Sequence, residues 1–251
     1  MKHILTVMVL SILLACTKSS DNNTNNPGSD QMTGFVQGTV ASNDTAFIFN
    51  YATNTGRLVK IDNVDWQRTL LLSYFANNQL AKVEEVGFNS EHNYTYNSAG
   101  RLEEVLSYEG SNTFRHTFEY DLAGKMIKRN YFSFGSLDRS YTYQYTGNNI
   151  TTITELNAAG AQVSQATITY TNHPLTATMK LLALANARNR MGLEDLLPVH
   201  SYFNSNLPST ITSGTKTATF TYTEANGKIK GSKTVTNFLG PNYTFTRTFN
   251  Y

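Results

Sequence analysis

Residues 94–105 read YTYNSAGRLEEV, and residues 118–129, twenty-four positions later, read FEYDLAGKMIKR. In both stretches apolar and polar side chains alternate up to a tyrosine, Tyr96 or Tyr120, which predicts a β-strand with one buried face. A glycine follows four residues after that tyrosine, and glycine tolerates the positive φ that a short hairpin loop requires. An aliphatic residue then restarts the alternation. Each stretch therefore predicts a strand, a turn and a second strand.

The same unit recurs along the chain with a period near 24 residues. We call the tyrosine that precedes each turn the marker tyrosine. The marker tyrosines are Tyr51, Tyr74, Tyr96, Tyr120, Tyr145, Tyr170, Tyr202, Tyr222 and Tyr251. A single hairpin cannot bury its own apolar face, whereas a row of hairpins can. The repeat therefore predicts an all-β fold, a long antiparallel meander of about 14–17 strands that forms a porin-like barrel or half-barrel.

One segment interrupts the repeat, because the gap between Tyr170 and Tyr202 is longer than the others. From Thr176 to about Arg190 the chain is rich in Ala, Leu, Met, Lys and Arg, which are strong helix formers. Pro198 stops any continuation, so we predict one helical insertion near 176–197. The insertion either covers apolar surface that the sheet leaves open or plugs the interior of a wide barrel.

The N-terminus has the pattern of a targeting segment. Lys2 and His3 precede an apolar run from Ile4 to Leu14, which is too short to span a bilayer and predicts a signal peptide over residues 1–15. The run ends in LLAC, which resembles the lipobox of bacterial lipoproteins. That resemblance implies that Cys16, the single cysteine of the chain, is lipidated and anchors the protein to a membrane.

Residues 16–34 are rich in Ser, Asn, Asp and Gly and predict a flexible tether after the lipidated cysteine. Residues 35–251 remain for a single repetitive β domain, which is long enough to bury a sizeable core. The residue after Cys16 is Thr17 rather than Asp, and by resemblance to other lipoproteins this implies a lipid anchor in the outer membrane. The domain then lies on the periplasmic or the cell-surface side.

The charge of the predicted mature chain is nearly balanced. Removing residues 1–15 takes Lys2 from the 20 basic residues and leaves 19 against 18 acidic ones. This balance gives no electrostatic reason to expect nucleic acid as a partner.

The motif YDLAGKM, residues 120–126, resembles the Tyr-Asp repeat of RHS-type proteins, and YNSAGRL from Tyr96 differs from it by Asn97 in place of Asp. Across its length the chain also resembles gut-bacterial lipoproteins of unknown function with a porin-like β fold. Both resemblances imply architecture and bring no catalytic residue.

The sequence contains no motif of a catalytic, metal or cofactor site, so we predict none of these. His92 and His116 stand four residues before their marker tyrosines, at a position that varies between repeats and that we expect to be partly exposed to water. They should lie two strands apart, roughly 10 Å, which is too far to share a metal.

The aromatic face of the strands has two interpretations. It is either core packing with tyrosine hydroxyls at a wet margin, or a stacking platform for a sugar or a peptide. On the second interpretation the contact residues would be Tyr94, Tyr96, Tyr120, Tyr143, Tyr145 and the lone Trp66. The leading hypothesis is a lipid-anchored envelope protein that binds a glycan or a protein. A purely structural envelope protein is the alternative, and a hydrolase is the third hypothesis.

Overall fold

The structure, a computed structural model, describes residues 34–39, 42–64, 67–176, 179–180, 204–237 and 243–250. These residues form sixteen strands. The strands are β1 (Gly34–Thr39), β2 (Ser42–Tyr51), β3 (Leu58–Asn63), β4 (Arg68–Tyr74), β5 (Leu80–Glu85), β6 (Ser90–Tyr96), β7 (Leu102–Glu109), β8 (Asn112–Tyr120), β9 (Met126–Ser133), β10 (Ser136–Thr146), β11 (Asn149–Asn157), β12 (Gln162–Pro174), β13 (Asn206–Ser213), β14 (Lys216–Ala225), β15 (Lys228–Thr236) and β16 (Tyr243–Asn250).

The sheet is a closed barrel in which every strand pairs with its neighbours in sequence and β1 pairs with β16. All of the pairs are antiparallel, and the register at the closing pair aligns Phe35 with Phe249. The predicted all-β meander is therefore confirmed, with a strand number inside the expected range. Of the two expected forms, the closed barrel is the one observed.

The repeat gives the barrel two distinct ends. The connections that follow the marker tyrosines all lie at one end, which we call the marker end, and the other connections lie at the opposite end, the far end. Strand β2 ends at Tyr51 at the marker end, and β1 runs antiparallel to it. Gly34, the first residue of β1, therefore lies on the marker-end side, so the preceding segment meets the barrel there.

The inner face near the marker end is packed with apolar and aromatic side chains. The strands bury alternate residues, as period-two patterning requires, and these residues form one continuous core cluster. The row next to the marker tyrosines contains Phe49, Ile61, Leu72, Val83, Tyr94, Val105, Phe118, Tyr143, Ile153, Ile168, Ile211 and Phe220. Barrels of sixteen strands often enclose water, but in the described residues this row is a packed interior.

The helical insertion begins where the sequence predicts. The Thr176 Oγ1 atom accepts a hydrogen bond from the backbone N–H of Met179 at 3.2 Å, and the Lys180 N–H donates to the Thr176 carbonyl at 3.0 Å. Thr176 is therefore the N-cap of a helical turn. Leu175 and Met179 are buried in the core cluster, so this turn covers the marker end of the core. The remainder of the predicted insertion, residues 177–178 and 181–197, lies outside the described residues.

Several predictions concern residues that the structure does not describe. They are the signal peptide, the lipidation of Cys16, the predicted tether except for its last residue, and any contact made by Trp66. That last residue, Gly34, is the first residue of β1, so the predicted boundary of the β domain is one residue late. Within the described part of the chain, no helix has the length and apolar character needed to cross a membrane.

Candidate functional site

The marker tyrosines connect successive hairpins through their hydroxyl groups. Within the described residues, six of these hydroxyls donate a hydrogen bond to a backbone carbonyl at the start of the strand that follows the preceding marker-end connection. The bonds run from Tyr74 to Leu58, Tyr96 to Leu80, Tyr120 to Leu102, Tyr145 to Met126, Tyr170 to Ile150 and Tyr222 to Pro208. We call this series the tyrosine ladder. Burial raises the pKa of five of these hydroxyls above that of a free tyrosine, namely those of Tyr74, Tyr96, Tyr120, Tyr145 and Tyr170.

The residue after the turn Gly or Asn reaches forward to the next hairpin. The Gln79 Nε2 atom donates to the Gly100 carbonyl at 2.7 Å, and the Lys125 Nζ atom donates to the Gly147 carbonyl at 2.6 Å. The Lys125 ammonium also lies 5.4 Å from the centre of the Tyr145 ring. Lys125 therefore contacts both the next turn and the next marker tyrosine.

The residue after the marker tyrosine organises its own turn. The Oδ1 atom of Asn97 accepts hydrogen bonds from the N–H groups of Ala99 and Arg101, both at 3.0 Å. Asp121 accepts the N–H of Lys125 in the same way at 2.8 Å. An Asn or Asp side chain can make these bonds and form an Asx turn. The conserved spacing of Tyr, Asn or Asp, Gly and base within this chain thus has a structural explanation.

The aromatic residues predicted as ligand contacts belong to this internal framework. The side chain of Tyr94 is 1% exposed and that of Tyr143 is 8% exposed, so no ligand can stack on either without opening the barrel. Tyr96, Tyr120 and Tyr145 are half-buried and pack against the core, with their hydroxyls engaged in the ladder. The core-packing interpretation therefore describes this face, and a stacking platform on Tyr94 or Tyr143 is wrong.

A polar layer lies on the inner face of the barrel, one row closer to the far end than the row next to the marker tyrosines. Facing pairs in this row include Leu70 with Glu85, His92 with Ser107, His116 with Tyr131, and Tyr141 with Glu155. The expectation of partial water exposure at His92 and His116 is wrong, since both side chains are buried. Closure of the barrel turns this row inward in every repeat, and the sequence pattern of one strand does not reveal closure.

His92 and Ser107 make the contact in this layer that most resembles catalytic chemistry. The His92 Nδ1 and Ser107 Oγ atoms are 2.8 Å apart. An imidazole beside a serine hydroxyl can activate a nucleophile. Here, however, Ser107 is 0% exposed, so a substrate has no access to its hydroxyl. The pair instead satisfies two polar groups inside the barrel.

The buried charges of the polar layer are paired. Arg68 lies 3.1 Å from Glu85, and its guanidinium stacks 4.0 Å from the centre of the Phe88 ring. On the other side of the layer, Arg139 lies 2.7 Å from Glu155, which also accepts a hydrogen bond from Ser164. Buried charges require such partners because desolvation of a lone ion is costly.

Arg129 is a buried cation in the row next to the marker tyrosines, where it faces Phe118 on the neighbouring strand. Its guanidinium lies 4.2 Å from the centre of the Tyr141 ring. Burial raises the pKa of Tyr141 to about 12, against a smaller lowering by Arg129. Within the described residues, no group of three or more His, Cys, Asp or Glu side chains is placed to hold a metal ion.

Phe134 is an exposed aromatic residue at the far end whose backbone has a positive φ, a conformation that phenylalanine rarely adopts. It forms the β9–β10 turn with Gly135, and both residues have positive φ, 50° and 81°. Asn226 and Gly227 also both have positive φ, 54° and 71°, and Asn and Gly are the residues such a turn prefers. A phenylalanine in this conformation is strained, yet the side chain of Phe134 is 70% exposed.

The Phe134 ring begins an aromatic contact series that runs into the barrel. Its centroid is 5.7 Å from that of Phe114, which stacks on Tyr131 at 6.3 Å, and Tyr131 stacks on His116 at 4.8 Å. Sequence analysis did not identify Phe134. The available signal was a phenylalanine directly before Gly135 in a two-residue loop between alternating segments, where Asn is the common choice.

The β5–β6 connection carries further exposed apolar groups at the far end. Val86 and Phe88 are both exposed. Beside them is an open groove of about 330 Å³ lined by Glu84, Asn89, Glu91, Tyr108 and the turn glycines Gly87 and Gly110. The far end therefore presents exposed aromatic rings next to a groove with carboxylate and amide groups.

The solved structures that are similar to this chain include two porin-like proteins. A porin-like protein from Bacteroides uniformis ATCC 8492 has 16% identity and a TM-score of 0.43, covering 87% of this chain and 96% of that one. A porin-like protein from Bacteroides vulgatus ATCC 8482 has 11% identity and a TM-score of 0.45, covering 88% and 98%.

A third similar structure is the complex TcdB2-TccC3-Cdc42, with 12% identity and a TM-score of 0.36, covering 86% of this chain and 12% of that one. No family model and no curated protein matches the chain. With TM-scores below 0.5, none of these likenesses carries an argument, and the fold described above rests on the strand pairing of this chain.

Proposed function

We propose that this protein is a lipid-anchored binding module of the bacterial cell envelope. In this proposal Cys16 carries the lipid, the segment up to residue 33 is the tether, and the barrel is a rigid scaffold. A glycan or a protein binds at the far end. Because the tether joins the barrel on the marker-end side, the far end is the part of the domain that is free to point away from the membrane.

The observation that carries the proposal is the strained, exposed Phe134. Strained backbone positions persist where a function maintains them, and a bulky residue at positive φ costs of order 1–3 kcal/mol. A turn with Asn in this position would avoid that cost, as Asn226 does elsewhere in the chain. Phe134 differs from such an Asn by its exposed aromatic ring, so the ring is the feature that explains why the strained residue is present. Exposed aromatic rings are frequent anchors in protein interfaces and stack well on flat ligands.

The outer wall of the barrel supports a tethered domain surrounded by water. On the outer face of β5 and β6, Lys82 lies 3.1 Å from Glu84 and 2.6 Å from Glu91. A charged side chain on a lipid-facing barrel surface costs about 2–4 kcal/mol at the middle of the bilayer. Charges at these positions agree with a barrel held by its tether beside a membrane.

The test replaces Phe134 by Asn in the full chain. We expect Phe134→Asn to leave the unfolding midpoint unchanged or higher, because Asn adopts positive φ at lower cost, while ligand capture is lost. Capture is measured on an array of neutral and acidic polysaccharides and, in cells, with a photo-reactive phenylalanine analogue in place of the exposed Phe88, both with Phe134 and with Asn at position 134. The matched control is Asn226→Phe, which places the same ring in the same kind of turn at the marker end and should lower stability without adding capture.

The second candidate is a purely structural envelope protein, and burial of the tyrosine ladder favours it. On that alternative Phe134 stabilises the fold through its contact with Phe114, so Phe134→Asn would lower the unfolding midpoint and no specific cross-link would form. We do not propose a hydrolase, because the Ser107–His92 pair in the described part of the chain is sealed from solvent.

A further inference from the structure

The two ends of the barrel differ in charge. The marker-end connections and the strand residues that flank them carry the cations Arg57, Arg101, Lys125, Lys180 and Lys228 against the single carboxylate Asp121, within the described residues. Glu103, Glu119 and Glu224 lie one residue further into their strands, where Glu119 is 3.2 Å from Lys128 and Glu224 is 3.1 Å from His173. At the far end, the same positions carry Arg68 and Lys216 against Glu85 and Glu109. The excess of positive charge is therefore confined to the marker end.

The repeat itself holds three of these cations in place. The Arg57 and Arg101 guanidiniums each lie 5.7 Å from the centre of the next marker-tyrosine ring. The Lys125 ammonium lies 5.4 Å from the ring of its next marker tyrosine, Tyr145. Each of these side chains is only partly buried, so its charge still faces solvent at the end of the barrel. The contacts of these basic side chains with the next marker tyrosines thus also arrange cations around the edge of the marker end.

The segment between Cys16 and β1 limits how far the marker end can lie from the membrane anchor. Strand β1 starts at Gly34, on the marker-end side, and the tether from Cys16 to that residue spans 18 positions. A flexible chain of that length has an end-to-end distance of roughly 25 Å. The marker end therefore stays close to the surface in which the Cys16 lipid is embedded.

We propose that the marker end is a basic docking face for the anionic, phosphate-bearing surface of the membrane that holds the anchor. This inference rests on the proposed lipid anchor. Lysine and arginine residues near an anionic membrane each strengthen binding about fivefold, and the attraction decays within a Debye length. Docking holds the barrel upright, so that Phe134 and the far-end groove face away from the membrane.

The test uses the lipidated chain on vesicles. Flotation with neutral phosphatidylcholine vesicles tests the anchor alone. A fluorophore is then attached at Ala99→Cys in the marker-end β6–β7 turn or, in a second sample, at Ser111→Cys in the far-end β7–β8 turn, and its quenching by a dye on the lipid headgroups is measured. We expect quenching at position 99 to increase when phosphatidylglycerol is added to the vesicles, and position 111 to stay unquenched.

The charge dependence is tested by matched pairs of variants. Lys180→Gln with Lys228→Gln should weaken the phosphatidylglycerol-dependent quenching about fivefold for each lysine. Lys216→Gln with Lys233→Gln removes the same charge from the far end and the outer wall and should leave quenching unchanged. Raising the salt concentration from about 0.1 to 1 M shortens the Debye length from about 10 to 3 Å and should abolish the effect.

The failures of the two proposals are distinguishable. A chain that does not float on neutral vesicles refutes the anchor, and its flotation on phosphatidylglycerol vesicles then tests the basic face directly. A chain that floats on neutral vesicles but whose position 99 ignores phosphatidylglycerol refutes the docking face while leaving the anchor intact. Equal loss of quenching in both double variants would refute the proposal that the marker end binds the membrane surface. Competition by inorganic phosphate at constant ionic strength would also refute it.

Discussion

Alkaline unfolding offers the sharpest test of the tyrosine ladder. The hydroxyls of Tyr74, Tyr96, Tyr120, Tyr145 and Tyr170 have pKa values raised above the ordinary value of 10.0, chiefly by burial. A group whose folded pKa is raised binds its proton more tightly in the folded state. Its contribution to stability is therefore complete below pH 10 and is lost as the pH rises toward the folded pKa.

The expected slope follows from linkage. Each such tyrosine lowers the free energy of unfolding by about 1.4 kcal/mol per pH unit above its unfolded pKa. Five together give about 7 kcal/mol per pH unit, and a domain of this size typically has a stability of about 5–15 kcal/mol. We therefore expect the barrel to unfold cooperatively within about one to two pH units above pH 10.

The assay follows tyrosinate absorbance and far-ultraviolet circular dichroism together during an alkaline titration. The two signals should change in one transition, because the ladder hydroxyls ionise when the barrel opens. Gradual growth of the tyrosinate signal from pH 10, with the strand signal retained, would refute the reasoning, since it would mean that the hydroxyls titrate in the folded barrel.

Tyr120→Phe supplies the internal control for this prediction. The variant loses the 2.8 Å bond to the Leu102 carbonyl and should lower the free energy of unfolding by about 1 kcal/mol at neutral pH. It should also make the alkaline slope shallower by about 1.4 kcal/mol per pH unit. Tyr108→Phe, on the outer wall and outside the ladder, should change neutral-pH stability by less than about 0.5 kcal/mol.

Two further substitutions test the position of the Arg101 guanidinium and the buried charge. Gly124→Ala should cost more stability than Gly160→Ala, because both glycines have positive φ, +85° and +81°, but an added Cβ at residue 124 would displace the Arg101 guanidinium whereas residue 160 faces open space. Equal unfolding midpoints for the two variants would show that the position of the Arg101 guanidinium does not contribute to stability. Arg68→Ala should lower the free energy of unfolding, measured by urea titration, by about 3–5 kcal/mol, because it leaves the Glu85 carboxylate buried without this arginine. A loss below about 1 kcal/mol would show that water reaches Glu85.

The local parts of this structure could be read from the sequence because their causes are local. Alternation before Tyr96 and Tyr120 places one set of side chains on one face of a strand, and a Gly four residues later permits the turn. The N-cap at Thr176 likewise depends on the residues directly after it. These features need only neighbouring residues, so the repeat predicted strands, turns and the start of the insertion.

The polar layer and the strained turn could not be predicted in this way. His92 occupies a position that is Ala or Arg in other repeats, which suggested a wet site. Its burial depends on the strands across the barrel, and its partner Ser107 lies on a different strand. Phe134 was missed because a single aromatic residue in a loop has many explanations until its φ and exposure are known.

The sequence by itself determined the hairpin unit, its period and the residue types at each turn, because strand alternation and turn geometry act over a few residues. Only the tertiary structure decided that β1 meets β16 and that the marker hydroxyls bond the preceding hairpin. It also brought the basic turn residues together at one end. These features depend on contacts between residues about twenty or more positions apart and on closure of the whole sheet, and no single repeat encodes them.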